Sequence, residues 1–183
     1  MKVRDFLDFN PAPVSTVRIV TWSALFIALG VLFPILFHLF GLGPVFLPMF
    51  LPILTAGFVL PPVFAVLVGV VTPLVSFLLT QMPPFLILPL MMSEGFFLGG
   101  IPSVFFQKLK WNFWLVLGGT LIFDRMLLAV LVLFLSPVFH LPPRLASGYV
   151  VLQGLPGVVL NFIFVPVLVK ILPTPKTGER KSY

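Results

Sequence analysis

From Trp22 to Gln107 the chain carries no Lys or Arg and a single acid, Glu94. A water-soluble fold needs ionised residues across its surface, so an uncharged run of this length points to lipid rather than water. The basic residues sharpen the point. Nine of the eleven Lys and Arg fall in three clusters: Lys2, Arg4 and Arg18; Lys108 and Lys110; Lys170, Lys176, Arg180 and Lys181. Each apolar stretch between clusters has room for an even number of spans. Because basic residues are held on the cytoplasmic side during insertion, both termini and the 108–110 loop are expected inside.

Composition agrees. With 60% hydrophobic and 9% charged residues and a mean hydropathy of +1.19, the chain lacks the polar surface of a soluble domain. A transmembrane helix takes about 20 apolar residues, which leaves room for roughly six. The net charge of +6 is dispersed beside the predicted spans, so it suits anionic inner-leaflet lipid and not nucleic acid. The absence of Cys excludes disulfides, thiolate chemistry and Cys-ligated metal. The apolar run after Arg18 is long for a signal peptide and lacks a small-x-small cleavage site, so the first helix is expected to be kept.

The predicted fold is an all-α membrane protein, a single integral domain of six transmembrane helices. Its expected spans are 17–38, 46–60, 63–80, 85–107, 112–137 and 148–172, with cytoplasmic tails at 1–16 and 173–183. Turn signals separate them: Gly41-Leu42-Gly43-Pro44, Pro61-Pro62, Gln81-Met82-Pro83-Pro84, and the 138–147 stretch with His140, Pro142, Pro143 and Arg144. Trp22, Trp111 and Trp114 fall near the predicted inner interface, where amphipathic rings belong. Pro48, Pro52, Pro73, Pro89, Pro156 and Pro166 lie inside predicted spans. There they either shape a cavity or bend helices so that they pack.

Polar residues inside the spans carry the functional signal. An ionised side chain at mid-bilayer costs about 2.5–3.5 kcal/mol on insertion scales. Glu94 lies about ten residues into helix 4, or roughly 15 Å at the helical rise. Asp124 and Arg125 sit near the middle of helix 5, Asn161 at similar depth in helix 6, and Gln153 nearer the outside. One reading is a ligand site built by Glu94, Arg125, Asn161 and Gln153. The other is an internal ion pair of Arg125 with Glu94 or Asp124, although side chains at i and i+1 point about 100° apart. Asn161 and Gln153 serve equally well as interhelical hydrogen-bond partners. His38 and His140 lie at outer helix ends, where a lone His is usually solvated.

No catalytic set is present: no HExxH, no Gly-x-Ser-x-Gly, no Walker A loop. The chain is expected not to be an enzyme and to need no cofactor or metal. Any active transport must draw on partner ATPases or an ion gradient. On helix 1, Thr21, Ala24 and Ala28 place small side chains on one face, which lets another helix approach closely. Gly95-x-x-x-Gly99 repeats that spacing on helix 4.

Taken together, these features resemble the substrate-binding S components of energy-coupling factor (ECF) vitamin transporters. The resemblance rests on size, on six spans with both ends inside, and on Ala24/Ala28. It also rests on the run from Phe37 through His38, Gly41, Gly43, Pro44 and Pro48 to Pro52, Thr55, Ala56 and Gly57, then on Gly69-Val70-Val71-Thr72-Pro73 and Met82-Pro83-Pro84. It covers most of 17–172. Phe50 stands where similar chains often carry His.

The resemblance implies a plasma-membrane protein of prokaryotic type that captures a water-soluble vitamin or precursor outside, through helices 4–6 and the outer loops. It implies docking through helix 1, with Ala24 and Ala28 as contact residues, onto a transmembrane T component coupled to two cytoplasmic ATPases. Glu94, Arg125, Gln153 and Asn161 would form the pocket, with His38 and Gln81 near its entrance. The abundance of Phe suggests a planar heteroaromatic ligand held by stacking. A stand-alone secondary transporter or small channel is the main alternative, followed by a membrane enzyme and a structural subunit.

Overall fold

A computed structural model describes residues 16–41, 46–139 and 152–172. Residues 1–15 of the predicted N-terminal tail, the predicted C-terminal tail, residues 42–45 and the 140–151 segment with His140 and Arg144 lie outside the described residues. The described chain is helical, with no strand. In order, the helices are α1 (Thr16–Leu39), α2 (Phe50–Val59), α3 (Pro62–Thr80), α4 (Leu88–Pro102, continuing in wider π-helical turns over Ser103–Lys108), α5 (Phe113–Phe139) and α6 (Leu155–Ile171). By length and composition four can cross a bilayer: Thr16–Leu39, Pro62–Thr80, Leu88–Lys108 and Phe113–Phe134; α2 and α6 are shorter apolar helices.

Boundaries move where the local chemistry requires it. Helix 2 starts at Phe50 and not at 46, because a residue before proline is pushed out of the right-handed helical region. Leu47, just before Pro48, has φ +47°. Helix 4 starts at Leu88 and not at 85. The Met82–Pro83 peptide is cis, and a turn closed by Ile87 N–H donating to the Pro84 carbonyl (2.8 Å) precedes the helix. Pro89 and Pro156, expected inside spans, sit in the first turn of α4 and α6. No donor is lost there, since first-turn N–H groups have no intrahelical partner. At the other end of α4, Pro102 has no N–H to bond back. The helix goes on as π turns, in which Leu109 N–H donates to Val104 O at 3.0 Å.

The polarity is that of a protein in lipid. Large apolar side chains point outward along α1 (Val17, Leu25, Leu32) and α5 (Ile122, Met126, Phe134). By contrast, all ten residues of α2 are buried. At 1.5 Å per residue α2 is only about 15 Å long, and it lies wrapped by its neighbours.

The tightest packing joins α3 to α4. A Cβ on Gly69 would overlap the Gly95 carbonyl oxygen, a Cβ on Gly95 would overlap that of Gly69, and Gly99 abuts the Ala65 carbonyl in the same way. Only hydrogen at these positions lets two backbones touch, so Gly95-x-x-x-Gly99 is an internal helix–helix seam. Ala24 and Ala28 are different: both are exposed on the outside of α1.

Candidate functional site

One end of the bundle is solid. Phe58 of α2 packs against Phe106 and Phe113 at ring-centroid distances of 5.4 and 4.6 Å. Gln107 Nε2 donates to the carbonyls of Gly57 and Leu60 at 2.8 and 2.6 Å. These are last-turn oxygens of α2 that otherwise have no partner within the helix.

The opposite end, where α1 and α3 finish and α4 begins, encloses a cavity of about 460 Å³. Its walls are mostly apolar and include Pro34, Leu47, Phe50, Ile87, Met91 and Leu128. Its polar lining comes from five separate segments. His38 arrives from the last turn of α1 and Ser76 from α3. Gln81 sits just past α3 at φ +58°, a left-handed cap whose N–H donates to the Phe77 carbonyl at 2.8 Å. Glu94 comes from α4, Arg125 from α5, and Gln153 from the turn before α6.

Five of the six pocket residues expected from sequence, Glu94, Arg125, Gln153, His38 and Gln81, line this one cavity. Asn161 is not among its lining residues. It is buried on α6, where its Nδ2 donates to the Gly157 carbonyl of its own helix at 2.8 Å. Its Oδ1 has no partner among the described residues.

Glu94 immediately precedes Gly95, so the backbone contact with Gly69 fixes the height at which its carboxylate enters. Arg125 Nη2 lies 3.5 Å from Glu94 Oε1. The closer partner is Asp124, whose Oδ2 accepts from Arg125 Nε at 2.9 Å and from Nη2 at 2.5 Å. The 100° between adjacent side chains is overcome by the length of Arg, which folds back over its neighbour. Cavity lining and ion pair therefore involve the same side chains. Arg125 links a wall carboxylate, Glu94, to a carboxylate behind the wall, Asp124. All three residues are buried, where removing one partner of such a set typically costs about 3–5 kcal/mol.

Two features of this end were missed at the level of sequence. Arg125 Nη1 packs against Gly154, and a Cβ there would strike both Nη1 and Leu47 Cδ1. A glycine just before a proline-led helix carries that signal only once the Arg is known to cross to α6. The walls also differ from the expected aromatic box: Phe50 is the one phenylalanine among the described lining residues. Other rings fill the solid end, pack on each other beside the cavity as Phe37 and Phe46 do, or face outward as Phe96, Phe134 and Phe164 do. Pro34, left out of the intramembrane prolines above, is the one in α1 that reaches the cavity.

The remaining buried hydroxyls are satisfied locally. Thr55, Thr72 and Thr120 each donate to the carbonyl four residues back, and Ser103 donates to the Gly100 carbonyl, as the half-buried Ser93 does to that of Pro89. None is presented as a nucleophile with a base. Among the described residues no group of His, Asp and Glu could hold a metal ion. The cavity is apolar on its sides and charged at its floor.

Residues 18–169 match the family model described as ECF transporter, substrate-specific component. No curated protein and no solved structure matches the chain.

Proposed function

Because the chain belongs to the substrate-specific components of ECF transporters, a membrane-embedded family of substrate-binding subunits, we propose that it captures a water-soluble vitamin or vitamin precursor for ATP-driven import. The ligand enters from the outer side through the end of the bundle that carries the cavity. The observation behind this reading is the chamber itself. A closed bundle that only anchored an assembly would have no use for six polar side chains converging on about 460 Å³ of space. That volume suits one small organic molecule, since ligand sites run from about 300 to 1,000 Å³.

Orientation follows from charge. The exposed Lys108 and Lys110 lie at the solid end, and basic residues favour the cytoplasm. The cavity then opens outside and both termini lie inside. Lys110, at φ +59°, turns the chain there, letting Trp111 N–H donate to the Phe105 carbonyl at 3.0 Å. Ala24 and Ala28 give α1 an outward face low enough for a helix of a T component to lie against it. That T component is in turn coupled to two ATPases, which supply the energy that this chain has no motif to extract.

The test is mass spectrometry of small molecules that co-purify with the protein, followed by binding of the identified compound. Glu94→Gln is expected to weaken that binding at least ~10-fold, as for a hydrogen bond to a charged group, and Arg125→Ala, which leaves both carboxylates unpaired, to alter it. Full affinity in both variants would place the ligand elsewhere. Uptake by the chain alone, in vesicles without ATPases, would favour the secondary-transporter alternative.

A further inference from the structure

We propose that the cavity selects ligands bearing a single positive charge, a protonated amine or a cationic nitrogen heterocycle on a compact apolar body, with Glu94 as the counter-ion. The inference rests on the cavity being the ligand site, and it assigns the chemical class of the ligand from the inventory of charge around it.

That inventory can be taken element by element. Among the described residues, α1 contributes only His38 at the rim. The α2 and α3 segments contribute no formal charge, only Ser76 and Gln81. The α4 helix contributes Glu94, α5 contributes Asp124 and Arg125, and the approach to α6 contributes Gln153. Two carboxylates thus face one guanidinium, and the floor carries an excess of one negative charge when all three are ionised.

How the guanidinium is shared decides which carboxylate is left over. Arg125 presents two adjacent N–H groups, Nε and Nη2, to the same oxygen of Asp124, at 2.9 and 2.5 Å. Glu94 receives Nη2 alone, at 3.5 Å, the outer limit of a hydrogen bond. The remaining nitrogen, Nη1, is buried beside Gly154 and Leu47. A carboxylate or phosphate ligand is best held by two parallel N–H groups of an Arg. Here one such edge is already taken by Asp124, and the other is closed off by the start of α6. Arg125 therefore cannot act as an anion fork, despite being the cation of the site.

Glu94 is in the opposite position. It lines the cavity, its hold on Arg125 is weak, and it shares that lining with the apolar Leu90, Met91 and Leu128. An ionised carboxylate in such surroundings is costly until a cation or strong donors meet it. A positively charged ligand completes that pairing, whereas an anion would add a third negative charge beside two.

The experiment uses the full chain in non-ionic detergent and three probes that share one ring and differ in charge: benzylammonium, benzyl alcohol and benzoate. Binding is read by saturation-transfer NMR with competition. Benzylammonium is expected to bind at least ~10-fold more tightly than benzoate, a modest share of one ion-pair interaction at low dielectric. Glu94→Gln should erase that ranking. Asp124→Asn, which loosens the hold on Arg125, should move it toward benzoate. A wild-type protein that prefers benzoate, or that binds all three alike, overturns the proposal while leaving the cavity as the binding site. If none of the three binds, the site reading falls and this one with it. Should the variants not fold, the wild-type ranking decides on its own.

Discussion

The two ends of this bundle are made from nearly the same apolar residues and put them to opposite use. At the solid end, Phe58, Phe106 and Phe113 close on one another and Gln107 ties off the last carbonyls of α2. At the hollow end, prolines, leucines and methionines stand back from a charged floor. What separates them is the shape of the side chains and the state of the backbone. Flat rings interlock without gaps. A proline-broken chain with left-handed residues at Leu47 and Gln81 cannot run as continuous helix, and it leaves space. The lesson is that in lipid, where hydrophobicity no longer distinguishes inside from outside, hollowness is set by helix interruptions and stability by close approach.

That contrast can be attacked at either end. The largest effect is expected at the seam that both ends share. Gly95→Ile forces a branched side chain into the Gly69 carbonyl, and no rotamer avoids a clash that begins at Cβ. A loss above ~4 kcal/mol is expected, seen as absent or aggregated protein on size-exclusion chromatography. Phe58→Ala comes next, at about 3–5 kcal/mol for a buried aromatic, read as a lower thermal midpoint in detergent. Ligand affinity at the far end should be unchanged, and a large change in affinity would mean that the two ends are not independent. Gln107→Leu is milder. It strips two carbonyls of their donor for about 1–3 kcal/mol, again with binding preserved. At the hollow end the pattern should invert: Glu94→Gln lowers affinity and, because Glu94 holds Arg125 only at 3.5 Å and the closer Asp124–Arg125 pair is kept, lowers the thermal midpoint of the empty protein less than Phe58→Ala does.

Much of the fold was legible in sequence because the bilayer imposes long apolar runs and proline and glycine punctuate them. Six helices were expected at roughly the positions where six are described. Glu94 and Arg125 were legible for a related reason: an isolated charge in an apolar run needs a purpose. His38 and Gln81 came from the family resemblance, since a His at a helix end is by itself usually just solvated. The fork of Arg125 onto Asp124 was not legible, since helical geometry argues against neighbours meeting and only the reach of the side chain permits it. Nor could the count of 22 Phe say which of them face a cavity. The phase of a lipid-embedded helix is poorly marked when its lipid face is as apolar as its core. Asn161 illustrates the same limit: its depth was readable, its direction was not.

The fully buried α2 has a consequence for the way the protein is made. A ten-residue segment spans about half of a hydrocarbon slab of roughly 30 Å, so it has little reason to partition into lipid by itself. The donor for two of its terminal oxygens, Gln107, is 47 and 50 residues further along the chain. During synthesis those oxygens must stay hydrated, or be sheltered by the insertion machinery, until α3 and α4 have emerged. The second helix in order of translation is thereby among the last to settle, and the cavity beside it takes shape only as the bundle closes.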